Sequence, residues 1–213
     1  MNLLRGFSDR FLLRLRLPRV VEDIGDYRAN FERAARFTAS CGYLQEEPRW
    51  SEGDALDGAA IDRALESSVM IAIKGPAAQC VTWCHRLAPA LEAEVGCRVW
   101  FTLGQLWRAG RPVFNPSWHD LRRWSKQGIR HDDLKGRTGA NIHAWLTLET
   151  GEILEPTLLS TYAAFRGEHF ARFYGLVASG RDPGVVHDHR YFPMMVGSEV
   201  AEAMRDRSVI QLL

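Results

Sequence analysis

The stretch from Gly75 to Leu103 constrains the fold more than any other part of this 213-residue chain. Gly75-Pro76 interrupts the backbone. A helical pattern then starts near Ala77, with Cys80, Trp83, Cys84, Leu87, Leu91 and Val95 forming one apolar stripe. Pro89 should kink this helix and Gly96 should end it. Immediately afterwards Arg98-Val99-Trp100-Phe101-Thr102-Leu103 is rich in β-formers and reads as a strand. A one-sided helix feeding a strand almost directly can bury its stripe on a sheet. Ile142 to Leu148 reads as a further strand, turning at Thr150-Gly151 into Glu152 to Glu155, which makes that part of the sheet an antiparallel hairpin.

The rest of the chain reads as helices and loops around this core. Residues 1–20 carry Arg5, Arg10, Arg14, Arg16 and Arg19 against Asp9 alone, with Leu4, Phe7, Phe11 and Leu15 at helical spacing, and Pro18 ends the pattern. Such a basic amphipathic helix suits peripheral contact with a membrane surface or a partner. Docking of its stripe on the domain's own core is favoured, because most amphipathic helices are simply half-buried. A second helix starts at Asp26, its cap, and runs through Tyr27, Phe31, Ala34 and Phe37; a third covers Ala59 to Glu66. Glu46 to Gly58 is a turn-rich loop and Val69 to Ile73 a short apolar run. Arg108 to Arg137 reads as a long loop that lids or flanks a cleft, Leu158 to Leu176 as helix, Gly180 to Pro193 as loop, and Gly197 to Asp206 as a last helix. The organisation expected is a helical N-terminal extension over residues 1–50 and a core with C-terminal helices over 51–213.

Composition excludes several classes. An apolar fraction of 46% with 25% charged residues is that of a globular domain, not of a disordered or low-complexity chain. No stretch approaches the ~18 uncharged apolar residues of an integral membrane segment. Only four cysteines occur (Cys41, Cys80, Cys84, Cys97), too few and too clustered for an extracellular disulfide framework, so a cytoplasmic protein with reduced thiols is expected, export without a cleaved signal staying open. Arg108 to Arg137 holds eight Lys and Arg against three acids with Trp118 and Trp124 interleaved. A nucleic-acid surface would use such residues. The net charge of +1 and the lack of any recognised motif argue against nucleic acid as a partner.

Cys80 carries the chemistry. A cysteine in the first turn of a helix faces unpaired backbone N–H groups and the positive end of the helix dipole, which stabilise a thiolate. A thiolate nucleophile needs a base within reach and a third group to orient that base. His143, at the mouth of one strand, and Glu155, at the end of its hairpin partner, can share a face and supply both. Cys84, one turn deeper, should be packed, and Cys41 and Cys97 structural.

These residues sit in a recognisable pattern. Gln79-Cys80-Val81-Thr82-Trp83 opening the helix, Gly96-Cys97-Arg98-Val99 leading into the strand, His143-Ala144-Trp145 and Leu154-Glu155-Pro156-Thr157 resemble, in order, the nucleophile helix, the next-strand entry, the His-Ala-Trp motif and the Val-Asp-Pro-Thr motif of the transglutaminase-like superfamily. The likeness covers about Pro76 to Thr157. Glu155 stands where the family has Asp, and the family's proline after glycine is absent at Cys97. The resemblance implies a papain-like, transglutaminase-like α+β core that needs no cofactor. It also implies cysteine-dependent acyl transfer or amide hydrolysis (deamidase, protease or transglutaminase type) on a protein or peptide substrate, through Cys80, His143 and Glu155. The Cys80 backbone N–H is the expected oxyanion donor. Gln79, Trp50 and Trp145 are candidates for a second oxyanion or substrate contact.

Two alternatives come from other classes. The same fold, catalytically inactive, would serve as an interaction module. Alternatively Cys80, Cys84 and His85 with His187 and His189 would form a tetrahedral zinc set, although the spacing is not that of a finger or ribbon. The His187-Asp188-His189 segment otherwise reads as exposed or substrate-facing.

Overall fold

A computed structural model describes residues 26–43, 47–68, 75–134, 139–166 and 168–204. The amphipathic pattern of residues 1–20, the apolar run 69–73 and positions 205–206 of the last expected helix lie outside the described residues.

The chain is α+β. Helices α1 (Tyr27–Ser40), α2 (Gly58–Ser67) and α3 (Cys80–Val95) precede strands β1 (Val99–Arg108) and β2 (Arg111–Phe114). Helix α4 (Trp118–Gln127), strands β3 (His143–Leu148) and β4 (Ile153–Glu155) and helix α5 (Leu158–Phe165) follow. Strands β5 (Ala178–Gly180), β6 (Val185–Val186) and β7 (His189–Val196) and helix α6 (Ser198–Met204) complete the described elements. The sheet runs in the order β5-β4-β3-β1-β7-β6, with β2 beside the far half of β1, and every pairing is antiparallel.

Strand β1 is the spine, and its alternation divides the core. Val99, Phe101 and Leu103 join Cys84, Leu87 and Leu91 of α3, while Trp100 and Leu106 join Tyr27, Phe31 and Ala34 of α1. Each leucine buried this way stabilises the fold by about 2 kcal/mol. Helix α1, capped by Asp26 accepting from the Ala29 N–H at 3.0 Å, thus packs its buried face into the core. The Val196 N–H donates to Thr38 Oγ1 at 3.0 Å and ties α1 to the end of β7.

Three expectations are corrected. Gly180 to Pro193 is not a loop, because β7 lies beside β1 in the middle of the sheet. Tyr191 through Val196 is buried on both faces, so no alternation marks it, and Pro193 disguises it as a break. The pairing accommodates the proline with a register shift between Leu103 and Gly104. Arg108 to Arg137 is not a loop either: it contains the end of β1, β2 and α4, whose Ser117 and Asp120 form a reciprocal capping box. Trp124 is buried, and Trp118 stacks edge-on to Phe37 and Phe192, so both aromatic side chains pack inward. Leu158 to Leu176 is not one helix, since α5 stops at Phe165 and a separate 3-10 turn covers Glu168–Phe173.

Helix α3 starts at Cys80 itself and continues through Pro89, whose ring sits exposed. It ends where Gly96 takes the left-handed conformation at φ 68°. Among the described residues no helix is long and apolar enough to cross a membrane.

Candidate active site

Strands β1, β2, β4 and β7 and the start of α3 converge on His143. The strand β3 begins at this residue, paired with Gly104 of β1. A Cβ on Gly104 would lie 2.0 Å from the Phe192 carbonyl oxygen and 2.9 Å from the Trp145 ring. Glycine is thus the residue that lets β1, β7 and the indole behind His143 close up. Asn141, two positions earlier, accepts the Asn115 N–H at 3.1 Å and donates to the Asn115 carbonyl at 2.8 Å. That clip holds the end of β2 against the start of β3 and places Phe114 flat on the His143 ring, centroids 5.1 Å apart at 13°.

The imidazole is 3% exposed and its Nε2 lies 2.5 Å from Glu155 Oε2. The carboxylate can only accept, so Nε2 carries the proton. Tyr191 of β7 donates to the same Oε2 at 3.2 Å. The other oxygen, Oε1, accepts from the Thr157 N–H at 3.0 Å, the Thr157 hydroxyl at 3.2 Å and the Leu158 N–H at 3.1 Å. The extra methylene of Glu has a structural use here: one oxygen is anchored in the first turn of α5, where N–H groups and dipole favour an anion, while the other reaches the imidazole.

The electrostatics follow. Burial by itself lowers the pKa of His143, but the Glu155 charge, hydrogen bonds to Cys80 and Glu155 and the Cys80 charge outweigh it and raise the ring to about 10. Burial pushes the Glu155 carboxyl up, and the His143 charge and hydrogen bond, then the Thr157 and Leu158 N–H groups, bring it below its ordinary value. Each partner thus favours the charged form of the other.

Cys80 lies near enough to the imidazole for its thiol to be among the influences that raise the ring's pKa, while the ring's direct hydrogen bond runs to Glu155. Because Nε2 is given to Glu155, Nδ1 is the ring atom left for the sulfur. Cys80 is half-buried, whereas Cys84 is fully buried, and burial, then the Glu155 and Cys80 charges, push the Cys84 thiol well above its ordinary value. Gln79, the N-cap residue, gives no side-chain hydrogen bond to the first turn of α3. The first turn of α3 is thus not capped by a side chain of its own N-cap residue. The Gln79 carboxamide oxygen accepts from the Thr82 hydroxyl at 3.3 Å, which turns the amide N–H₂ outward as a donor. Two residues before Cys80, Ala78 has a positive φ of 59°, and its N–H donates to Thr161 Oγ1 of α5 at 3.0 Å. A non-glycine residue in that conformation is strained, and the Thr161 contact helps hold it.

Other expected positions fall elsewhere. Trp50 donates its indole N–H to Glu32 at 3.3 Å and stacks edge-on to Phe31 and Trp100, in the cluster of α1 rather than beside Cys80. The Trp145 N–H is committed to Tyr27 Oη at 2.7 Å, and its ring lies 6.2 Å from that of His143 at 26°, so its place is behind the imidazole. Both indole N–H groups are thus already hydrogen-bonded within the fold. Among the described residues no three His, Cys, Asp or Glu side chains converge to hold a metal ion, and the expected zinc set is dispersed: His85 faces Glu202 and His187 is exposed.

Sequence reasoning missed Tyr191, Phe114, Asn141 and Thr161. Asn141 lies two residues before His143, but its two hydrogen bonds run to a segment read as loop. Tyr191 belonged to a strand that Pro193 concealed. No family model, no curated protein and no solved structure matches the chain.

Proposed function

We propose that the protein is a cysteine-dependent acyl transferase or amide hydrolase acting on a protein or peptide carboxamide or peptide bond, with a transglutaminase-like, papain-like core. The observation that carries this reading is the buried, five-times hydrogen-bonded Glu155 aligning His143 beside a cysteine at the first position of a helix. A buried ion pair with no reactive neighbour is weak support for stability, since apolar replacements of the same volume are often as good. A base-orienting role accounts for keeping it.

In this reading the Cys80 sulfur attacks the substrate carbonyl and the oxygen takes the negative charge. The Cys80 backbone N–H, with the Gln79 amide, receives that charge. His143 gives its Nδ1 proton to the leaving nitrogen, the C–N bond breaks, and an acyl-thioester on Cys80 remains. Glu155 keeps the proton on Nε2, so that Nδ1 is the atom that exchanges protons with the reacting groups. An acceptor, water or an amine, then attacks the thioester and restores the thiol.

The test is hydroxamate formation. Peptides containing glutamine are incubated with the protein and hydroxylamine, and products are read by mass spectrometry. Wild type should convert carboxamide or peptide carbonyl to hydroxamate, and Cys80→Ala and His143→Ala should not. Product formed equally by Cys80→Ala would reject the proposal; no product from folded wild type across a broad peptide set would favour the interaction-module reading.

A further inference from the structure

The surface bordering the turn before Cys80 differs from the rest of the molecule. Among the described residues the large apolar side chains left exposed are Phe165 at 61%, Tyr174 at 51% and Leu176 at 49%, and all three lie between the end of α5 and the start of β5. Apolar residues exposed singly are ordinary, whereas several in one place mark a contact surface. The segment that carries them is tied down. Phe170 of the 3-10 turn has its ring centroid 6.4 Å from that of Tyr162 and 6.1 Å from that of Phe173, and the Gly175 N–H donates to Ser160 Oγ of α5 at 2.9 Å. Two exposed cations stand on these rings, Arg166 at 4.9 Å from the Tyr162 centroid and Arg172 at 4.8 Å from that of Phe173. Neither has an ion-pair partner among the described residues. Glu168 is the one acid of the segment.

Two contacts fix this patch at the entrance to α3. A side chain at Gly75 would collide with the Tyr174 hydroxyl, so that hydroxyl lies directly on the Gly75 backbone. Thr161 of α5 accepts the Ala78 N–H at 3.0 Å. Between them the chain is a closed turn, the Gln79 N–H donating to the Pro76 carbonyl at 3.2 Å, which keeps the Cα atoms of Pro76 and Gln79 within about 7 Å. With one step of about 3.8 Å at each end, the Gly75 backbone under Tyr174 is at most about 15 Å from the Cys80 Cα. An extended peptide covers that distance in about four or five residues. Charge and position choose the occupant. Residues 1–20 carry an apolar stripe, but their five arginines against one acid repel Arg166 and Arg172. A second copy of this face would set the same two arginines against themselves. A lipid surface gains nothing from a patch that abuts the nucleophile turn, whereas a chain held by its reacting carbonyl at Cys80 must cross ground of this kind.

We propose that Phe165, Tyr174 and Leu176 with Arg166 and Arg172 form a docking surface for the substrate chain, which presents an apolar side chain flanked by carboxylates about four or five residues from the carbonyl that reacts at Cys80. The proposal deepens the acyl-transfer reading above and rests on it for the nature of the occupant. The peptide's apolar side chain takes Phe165, Tyr174 and Leu176 out of water. Its carboxylates meet guanidinium groups that aromatic rings already hold in place, so little side-chain freedom is lost on binding. Binding energy from this remote segment holds the reacting carbonyl on the sulfur. Because both arginines are exposed, the preference for acid is screened by salt.

The experiment reads binding apart from chemistry. Full-length Cys80→Ala is titrated, by fluorescence anisotropy, into labelled peptides that carry one glutamine and, about five residues to its N-terminal or C-terminal side, a phenylalanine between two glutamates. Matched peptides have lysine in place of glutamate. The expected result is that the acidic peptide of one polarity binds about tenfold tighter than its lysine counterpart, and that the gap closes at about 0.5 M salt. Adding Arg166→Glu and Arg172→Glu should reverse the preference without changing the melting temperature, and Phe165→Ala should weaken acidic and lysine peptides alike, about threefold. Equal affinities for the two peptides, or a preference that survives the double charge reversal, would overturn the proposal. Binding of phosphatidylserine vesicles in the absence of any peptide selectivity would overturn it in favour of a lipid surface. The same peptides are then given to wild type with hydroxylamine. Acid-selective binding with no hydroxamate from any peptide would support the docking surface and remove the acyl-transfer reading; hydroxamate formed equally from acidic and lysine peptides would support that reading and remove the docking surface.

Discussion

Replacing Glu155 by Gln isolates what the carboxylate does. The substitution preserves volume and leaves one oxygen able to accept from the Thr157 N–H, the Thr157 hydroxyl and the Leu158 N–H, as Oε1 does now. The amide nitrogen then faces His143 Nε2 and the Tyr191 hydroxyl in place of Oε2. Two donors cannot meet, so the imidazole must move its proton to Nδ1. Burial, which lowers the His143 pKa, then acts without the carboxylate that opposes it. Stability at neutral pH should fall by about 2 kcal/mol, the worth of a hydrogen bond to a charged group, because the neutral imidazole is not left as a bare buried charge. Turnover should fall ~10⁴-fold, about 5 kcal/mol of barrier, as for loss of the orienting acid in a Ser-His-Asp triad. Glu155→Asp should also fail, because a side chain one methylene shorter cannot hold both the α5 first turn and His143. Urea denaturation and the hydroxamate assay measure the two effects. A Glu155→Gln protein within threefold of wild-type activity would refute the orienting role whatever its stability.

Other outcomes follow from the same geometry. Brief iodoacetamide treatment at neutral pH should modify Cys80 first and leave Cys84 intact until the protein unfolds, as peptide mass mapping would show; earlier modification of Cys84 would contradict the packing of α3. The pair's contribution to stability has a defined pH window: the raised His143 contributes fully below its unfolded pKa of 6.5 and loses this as pH rises through about 10, and the lowered Glu155 contributes fully above 4.5 and loses it as pH falls further. The difference in Tm between wild type and Glu155→Gln should therefore peak between pH 4.5 and 6.5 and shrink on both sides; a difference flat from pH 4 to 10 would exclude the ion pair. Tyr191→Phe keeps the ring against Trp145 but removes one donor from Glu155 Oε2, concentrating charge on His143, so the alkaline limb of the activity profile should move upward; an unmoved limb would make the phenol merely structural. Gly104→Ala should destabilise by about 1–3 kcal/mol, because its Cβ meets backbone, and a neutral outcome in a melt would dispute the β1–β7 approach.

The parts of the site legible from sequence are those signalled locally. Cys80 was marked by a helix start after Gly75-Pro76; the helix read from near Ala77 begins only at Cys80, because Ala78 takes a positive φ of 59°. His143 and Glu155 were marked by a hairpin whose turn and strand propensities agree, and the β3–β4 pairing brings them together. The surrounding residues depend on pairings distant in sequence. Strand β7 carries Tyr191 and His189, but its burial on both faces erases the period-two signal, and its proline is tolerated only through a shift in the partner strand. Phe114 reaches His143 because β1 extends five residues beyond Leu103, through Gly104, where side-chain propensity argues against a strand although tertiary contact requires one. Trp50 and Trp145 were read as open donors; whether an indole N–H is already bonded to Glu32 or Tyr27 is decided only in the folded chain.

The central claim is that Cys80, aligned by His143 and Glu155, is a nucleophile toward acyl carbons, and covalent capture tests it most directly. The protein is treated with a peptide whose glutamine carboxamide is replaced by an electrophilic ketone, and adducts are located by intact and peptide mass spectrometry in wild type, His143→Ala and Cys80→Ala. The account predicts one adduct per chain on Cys80 in wild type, slowed by orders of magnitude in His143→Ala and absent in Cys80→Ala. Equal labelling of Cys80 with and without His143, or labelling that persists in Cys80→Ala, would contradict it.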